Sequence, residues 1–190
     1  MSTSNEELRA IALAEFARAG YAATSLQRIA ELAGLSKSSV LYHFASKEAL
    51  LEATIGPALG RFEQLVDELE AGNGTDAART TFVEHYVDLL LAHTLEVHMF
   101  VNQGPSLEDV PVFERANSLA IRLAAYFAAT TRSTMESMRL RVALGGAAYM
   151  LASQQQFQLA TADSNDETRA ALITIVTELL SPVPVRSTTS

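Results

Sequence analysis

Apolar residues recur three and four positions apart over most of the 190-residue chain, and no sustained apolar–polar alternation breaks that rhythm. The pattern predicts an all-α protein. Leu8, Ile11, Ala12 and Phe16 share one face of a first helix over 5–19, which Gly20 ends. Leu26, Ile29, Ala30 and Ala33 do the same for a second helix over 25–33, broken by Gly34. Ser36 then caps a short third helix reaching Phe44. Ser46 caps a fourth, with Glu48 at the positive end of its dipole, running towards Leu69 and bent or interrupted at Gly56-Pro57. Four capping boxes, Ser4-x-x-Glu7, Thr24-x-x-Gln27, Ser133-x-x-Glu136 and Ser164-x-x-Glu167, each mark a helix start. AGNGTDAA, 71–78, reads as a loop. One long helical region follows over 78–98, then the irregular stretch NQGPSLEDVP at 102–111. Further helices are expected over 112–131, 134–160 and 165–180, before the tail SPVPVRSTTS, which should be disordered.

Composition narrows the class. Hydrophobic content of 48% is ample for a core, and without cysteine there is neither a disulfide framework nor thiolate chemistry. MSTSNEEL has no basic region followed by an apolar core, so no secretory signal is expected. The longest apolar run, VALGGAAYMLA at 142–152, is shorter than the roughly 18–20 residues of a membrane span. These features predict a soluble cytoplasmic protein with no membrane partner.

Charge divides the chain in two. The net charge is −8, yet Arg9, Arg18, Arg28, Lys37 and Lys47 balance Glu6, Glu7, Glu15, Glu31 and Glu48 within residues 1–50, so 51–190 carry the whole excess. Both lysines of the chain lie in GLSKSSVLYHFASKEALL, 34–51. A helix, a turn at Gly34 and a short helix form a helix-turn-helix. Val40 and Phe44 would anchor its second helix and turn Lys37, Ser38, Tyr42 and His43 outward, with Ser39 and Leu41 at the boundary. Small hydroxyl side chains at Ser36, Ser38 and Ser39 would let the backbone approach a groove closely. Lys37, Tyr42 and Lys47 reach phosphates, with Arg28 adding to the cationic supply. The amide ends of the helices near Thr24 and Ser46 are further phosphate sites.

These residues carry a resemblance. FARAGYAAT and TSLQRIAELAGLSKSSVLYHFASKEALL, together 16–51, are similar to the DNA-binding domain of the TetR family of transcriptional regulators. The Ala-Gly-Leu-Ser turn, the His-Phe end of the third helix and the Ser-Lys-Glu start of the fourth all coincide. One position departs: where the commonest family pattern has a tyrosine on the phosphate backbone, this chain has Leu41, followed by Tyr42. Tyr42 is a substitute about 100° further round the helix, and Leu41 could touch a thymine methyl instead. The resemblance implies a helical homodimer that binds a palindromic double-stranded operator, most often as a repressor, and leaves it when a small molecule binds its C-terminal domain. The implied organisation is a DNA-binding domain over 1–50, an effector-binding and dimerisation domain over 51–181, and a tail over 182–190.

For the second domain the residues suggest two surfaces. Gly145, Ala148 and Ala152 on one helix and Leu172, Ile175, Val176 and Leu179 on the last would make a four-helix dimer interface, with an intrachain core as the alternative. A small-molecule pocket among the middle helices would draw on Phe82, His85, Tyr86, Leu89, Met99 and Phe100. Phe113, Tyr126, Phe127, Tyr149 and Gln154 complete that set, although such stripes also build ordinary cores. His85, His93 and His98 are eight and five residues apart, so no pair has the spacing that aligns ligands on one helix face, and no metal or cofactor is expected. No Gly-x-Ser-x-Gly, phosphate-binding glycine loop or His-Glu-x-x-His occurs, which argues against an enzyme. The acidic body and Leu41 motivate one other reading, a helical adaptor that binds protein.

Overall fold

Phe16, Ile29, Val40, Leu50 and Leu51 are each fully buried, and they converge from four successive helices on one point. The computed structural model describes residues 5–130, 133–157 and 164–180, the side chains of 154–157 excepted. Its elements are α1 (Asn5–Ala19), α2 (Leu26–Leu32), α3 (Lys37–His43), α4 (Lys47–Ala71), α5 (Asp76–Ala92), α6 (Thr94–Gln103), α7 (Pro111–Thr130), α8 (Thr134–Phe157) and α9 (Asn165–Leu180), with a 3-10 turn at Gly104–Ser106. The described residues contain no strand, and no helix among them is long and apolar enough to cross a membrane.

Local chemistry explains most boundaries. Gly20 and Gly34 adopt φ of +88° and +67°, where a Cβ would be strained, and end α1 and the α2 turn. Ser36, Ser46 and Thr75 accept hydrogen bonds from the third amide beyond them and start α3, α4 and α5. At α9 the capping box is reciprocal: Ser164 Oγ accepts from Glu167 N at 3.2 Å, while Ser164 N donates to Glu167 Oε2 at 2.9 Å. Ser133 caps α8 through Glu136 N at 3.2 Å. Residue 4 and the 181–190 tail lie outside the described residues, as do 158–160 beyond the end of α8.

Four expectations need correction. Ser25, not Thr24, caps α2; its hydroxyl accepts from Arg28 N. Helix α4 continues through Pro57 without interruption, because Gly56 has no Cβ to clash with the proline ring and push the preceding residue out of the helical region. The loop after it is only 72–75, with Asn73 and Gly74 at positive φ completing the turn. The helical region expected over 78–98 is two helices, separated at His93, whose φ of −128° and ψ of 42° lie outside the helical well.

Packing forms two cores. The first joins α1–α4 to Met99 of α6 and to Val112, Phe113 and Leu119 of α7, so the N-terminal helices share a core with the middle of the chain. The second gathers Leu65, Val66, Leu69, Phe82, Tyr86, Leu90, Leu123, Phe127, Leu144, Leu151 and Val176. Phe62 of α4 packs against both. A bidentate ion pair of Arg169 with Asp88, at 2.5 and 2.9 Å, ties α9 to α5.

Candidate nucleic-acid interface and an apolar cavity

The outward face of α3 is set by what its other face buries. Val40 is fully buried, and Leu35 N donates to Ala30 O at 2.8 Å, closing the turn and fixing the angle between α2 and α3. Ser36 Oγ caps the helix and lies 2.8 Å from the hydroxyls of both Ser38 and Ser39, so these three serines form one hydrogen-bonded group at its start. Lys37, Ser38, Leu41, Tyr42 and His43 are exposed, and Ser39 is half-buried. Tyr42, 87% exposed, lies edge-on to the His43 ring, 5.4 Å between centroids. An aromatic residue so exposed suits a surface that closes on a partner.

Three expected phosphate contacts are differently employed. Lys47 Nζ donates to the carbonyls of Tyr21 and Thr24, both at 2.9 Å, and sits 4.2 Å from the Tyr21 ring centroid. Burial holds its pKa below the ordinary lysine value. Two of its three N–H groups therefore pin the loop before α2 to the start of α4. Arg28 Nε is 3.3 Å from Glu15, a carboxylate that also binds Arg18 at 2.7 Å. The bond from Arg18 holds the Glu15 carboxyl below its ordinary range. Thr24 is corrected outright: it is 2% exposed, with its hydroxyl donating inward to Gly20 O at 2.8 Å, so it presents nothing to a phosphate. Lys37 has no such tether among the described residues.

Gln103, which the sequence reading missed, joins this unit to the rest. Its Nε2 donates to Phe16 O at 2.9 Å and its Oε1 accepts from Tyr21 N at 2.8 Å, so the last residue of α6 holds both sides of the α1 turn. An amide side chain with donor and acceptor paired to two backbone groups leaves no marker in sequence.

Along the same α6 runs the wall of a partly open cavity of about 500 Å³ lined by α4–α8. Of the expected pocket residues, Tyr86, Leu89, Phe100, Phe113, Phe127 and Tyr149 line it. Four do not. Phe82 stands behind the wall, stacked 5.6 Å from Tyr86, and Met99 is wholly buried in the first core. His85 turns to Glu68 at 3.9 Å, and Tyr126 packs edge-on against Phe127 with its hydroxyl buried and unbonded. The Gln154 side chain lies outside the described residues. Sequence missed Ile55, Leu59 and Phe62 of α4, and the pair His93 and Glu96. The Tyr86 hydroxyl donates to Leu144 O at 3.0 Å, and burial pushes its pKa up.

The expected dimer surface divides. Ala152, Leu172 and Val176 are buried inside the chain and are corrected to intrachain core. Gly145 and Ile175 are exposed, and Ala148 and Leu179 half-buried. Met135, Met138, Val142 and Tyr149 of α8 and Ile121 of α7 add large exposed apolar side chains.

Residues 8–54 match the family described as "Bacterial regulatory proteins, tetR family". The HTH-type transcriptional repressor KstR2 of Mycolicibacterium smegmatis is 29% identical over 121 residues, 60% of this chain and 56% of that protein, so the chain spans about half the length of this curated relative. The solved structure of the ketosteroid transcriptional regulator KstR2 of Mycobacterium tuberculosis superposes with a TM-score of 0.68 at 18% identity, over 94% of this chain and 95% of that one, a likeness of fold. SCO3833, a TetR-family member from Streptomyces coelicolor A3, superposes with a TM-score of 0.67 at 26% identity, over 96% and 94% of the two chains.

Proposed function

We propose that the chain is a member of the tetR family of bacterial regulatory proteins, whose model matches its residues 8–54, and that it is a cytoplasmic transcriptional repressor, and not an enzyme, which binds a palindromic operator as a homodimer and leaves it when a small molecule fills the cavity. The observation that carries this reading is the single helix α6: it walls the cavity with Val97 and Phe100 and ends on Gln103, whose amide grips the DNA-binding unit. A molecule that shifts α6 therefore shifts Phe16, Tyr21 and the helices behind them. Two α3 helices must enter major grooves about 34–36 Å apart, so a small change in each protomer's tilt is enough to favour a spacing that fits DNA poorly. The faces carrying Met138, Val142 and Ile175 are the surfaces for the second copy. Phosphate contacts fall to Lys37, Tyr42, the remaining Lys47 N–H and the amide end of α4 at Ser46, and base contacts to Ser38, Ser39, Leu41 and His43. The name of the mycobacterial relative, a ketosteroid regulator, agrees with an effector that is mostly hydrocarbon.

The test is selection of bound sequences from random DNA, followed by anisotropy titration of the winner at several salt concentrations. Enrichment of a palindrome supports the repressor. Uniform, weak binding to every sequence favours the adaptor reading, in which α3 faces a protein.

A further inference from the structure

The cavity wall is almost wholly apolar, and the few polar groups on it are not equivalent. The Tyr86 hydroxyl is already committed to Leu144 O. Arg141 lines the wall from the exposed side of α8, where water screens its charge. His93 and Glu96 are different: their side chains are 28% and 15% exposed, they lie at the break between α5 and α6, and His93 Nδ1 is 3.0 Å from Glu96 Oε1. An ionised carboxylate only accepts hydrogen bonds, so the hydrogen between them belongs to Nδ1. That leaves the second Glu96 oxygen and, in the neutral ring, His93 Nε2 as acceptors without a hydrogen-bond partner among the described residues, on two residues that line the cavity. A largely buried pair with acceptors to spare selects a ligand that brings a donor, and a carboxylate there repels a second anion.

We infer that the cavity takes a hydrophobic molecule ending in a hydroxyl, an alcohol or phenol, whose O–H donates to the His93–Glu96 pair while its hydrocarbon body lies against Phe62, Phe100, Phe113 and Phe127. This deepens the effector reading above and rests on it. The pair also stands at the one point where the helical run over 78–103 leaves helical geometry. A hydroxyl bound there acts on the start of the same helix whose end holds the DNA-binding unit.

The experiment uses the full chain and displacement of the neutral dye N-phenyl-1-naphthylamine by three probes sharing one skeleton: 1-dodecanol, its methyl ether and dodecanoate. The alcohol is expected to bind about ten-fold more tightly than the ether, the scale of one hydrogen bond to a charged group, and dodecanoate more weakly than either. Glu96→Gln, whose amide keeps the size but loses the charge, should bring alcohol and ether within about two-fold of each other. Ala120→Trp, which fills the cavity from α7, should weaken all three. Equal binding of alcohol and ether to the wild-type chain, or preference for dodecanoate, overturns the hydroxyl assignment while leaving the cavity as the effector site. No displacement by any probe, with Ala120→Trp indistinguishable from wild type, overturns both.

Discussion

At the scale of residues, the two lysines that look alike in sequence do different work. Lys37 is an exposed cation without a tether among the described residues, whereas Lys47 holds two backbone carbonyls at 2.9 Å. Lys37→Ala should lower the slope of log affinity against log salt by about one unit and leave the melting temperature unchanged. Lys47→Ala should lower the melting temperature by several degrees, because two partly buried carbonyls lose their donor, and weaken DNA binding through a loosened loop. Calorimetry and salt titration of both variants separate the roles; identical behaviour would show that the tether is idle. That both lysines fall in one helix-turn-helix stretch was legible in 34–51, as was the outward set of Lys37, Ser38, Tyr42 and His43. The inward turn of Thr24 was not, since a threonine two residues ahead of a helix looks the same whether it caps that helix or bonds Gly20 behind it.

Among elements, α6 is the one to which the proposed coupling is assigned, and its ends set the tests. Gln103→Ala removes both bonds to the α1 turn. It should leave ligand affinity within two-fold and reduce the ligand's effect on operator affinity several-fold, read by titrating DNA with and without a saturating effector. A fully retained response would remove Gln103 from the pathway. The start of α9 offers a pH test. Bonds from the Ser164 backbone and hydroxyl hold the Glu167 carboxyl below its ordinary range. With its folded pKa depressed, the unfolded chain binds more protons in the acid range, so the stabilisation is complete above the ordinary carboxylate value of about 4.3 and fades as pH falls through the depressed one. Wild type and Glu167→Ala should therefore differ in melting temperature at pH 7 and converge towards pH 3. This capping box was plain in the sequence, because hydroxyl and carboxylate sit three residues apart at the head of an apolar run. The break at His93 was not: neither glycine nor proline marks it.

The whole molecule depends on the surfaces left uncovered. Val142, 61% exposed in the middle of α8, belongs to the exposed apolar face proposed above for a second copy. Val142→Glu should yield a monomer by light scattering, with operator affinity reduced at least ten-fold, since one protomer reaches only one half-site. A dimer that survives this change would place the interface elsewhere. The sequence by itself determined the helical class, the helix-turn-helix arrangement within α1–α4 and most helix starts, because periodicity, caps and turn glycines act within a few residues of one another. Tertiary structure alone decided that Lys47 tethers a loop, that Met99 and Val176 are core rather than pocket or interface, and that His93 and Glu96 face a cavity beside Phe62. Those outcomes depend on which faces of distant helices meet, and an apolar residue at helical spacing reads the same whether it meets a core, a cavity or a second chain.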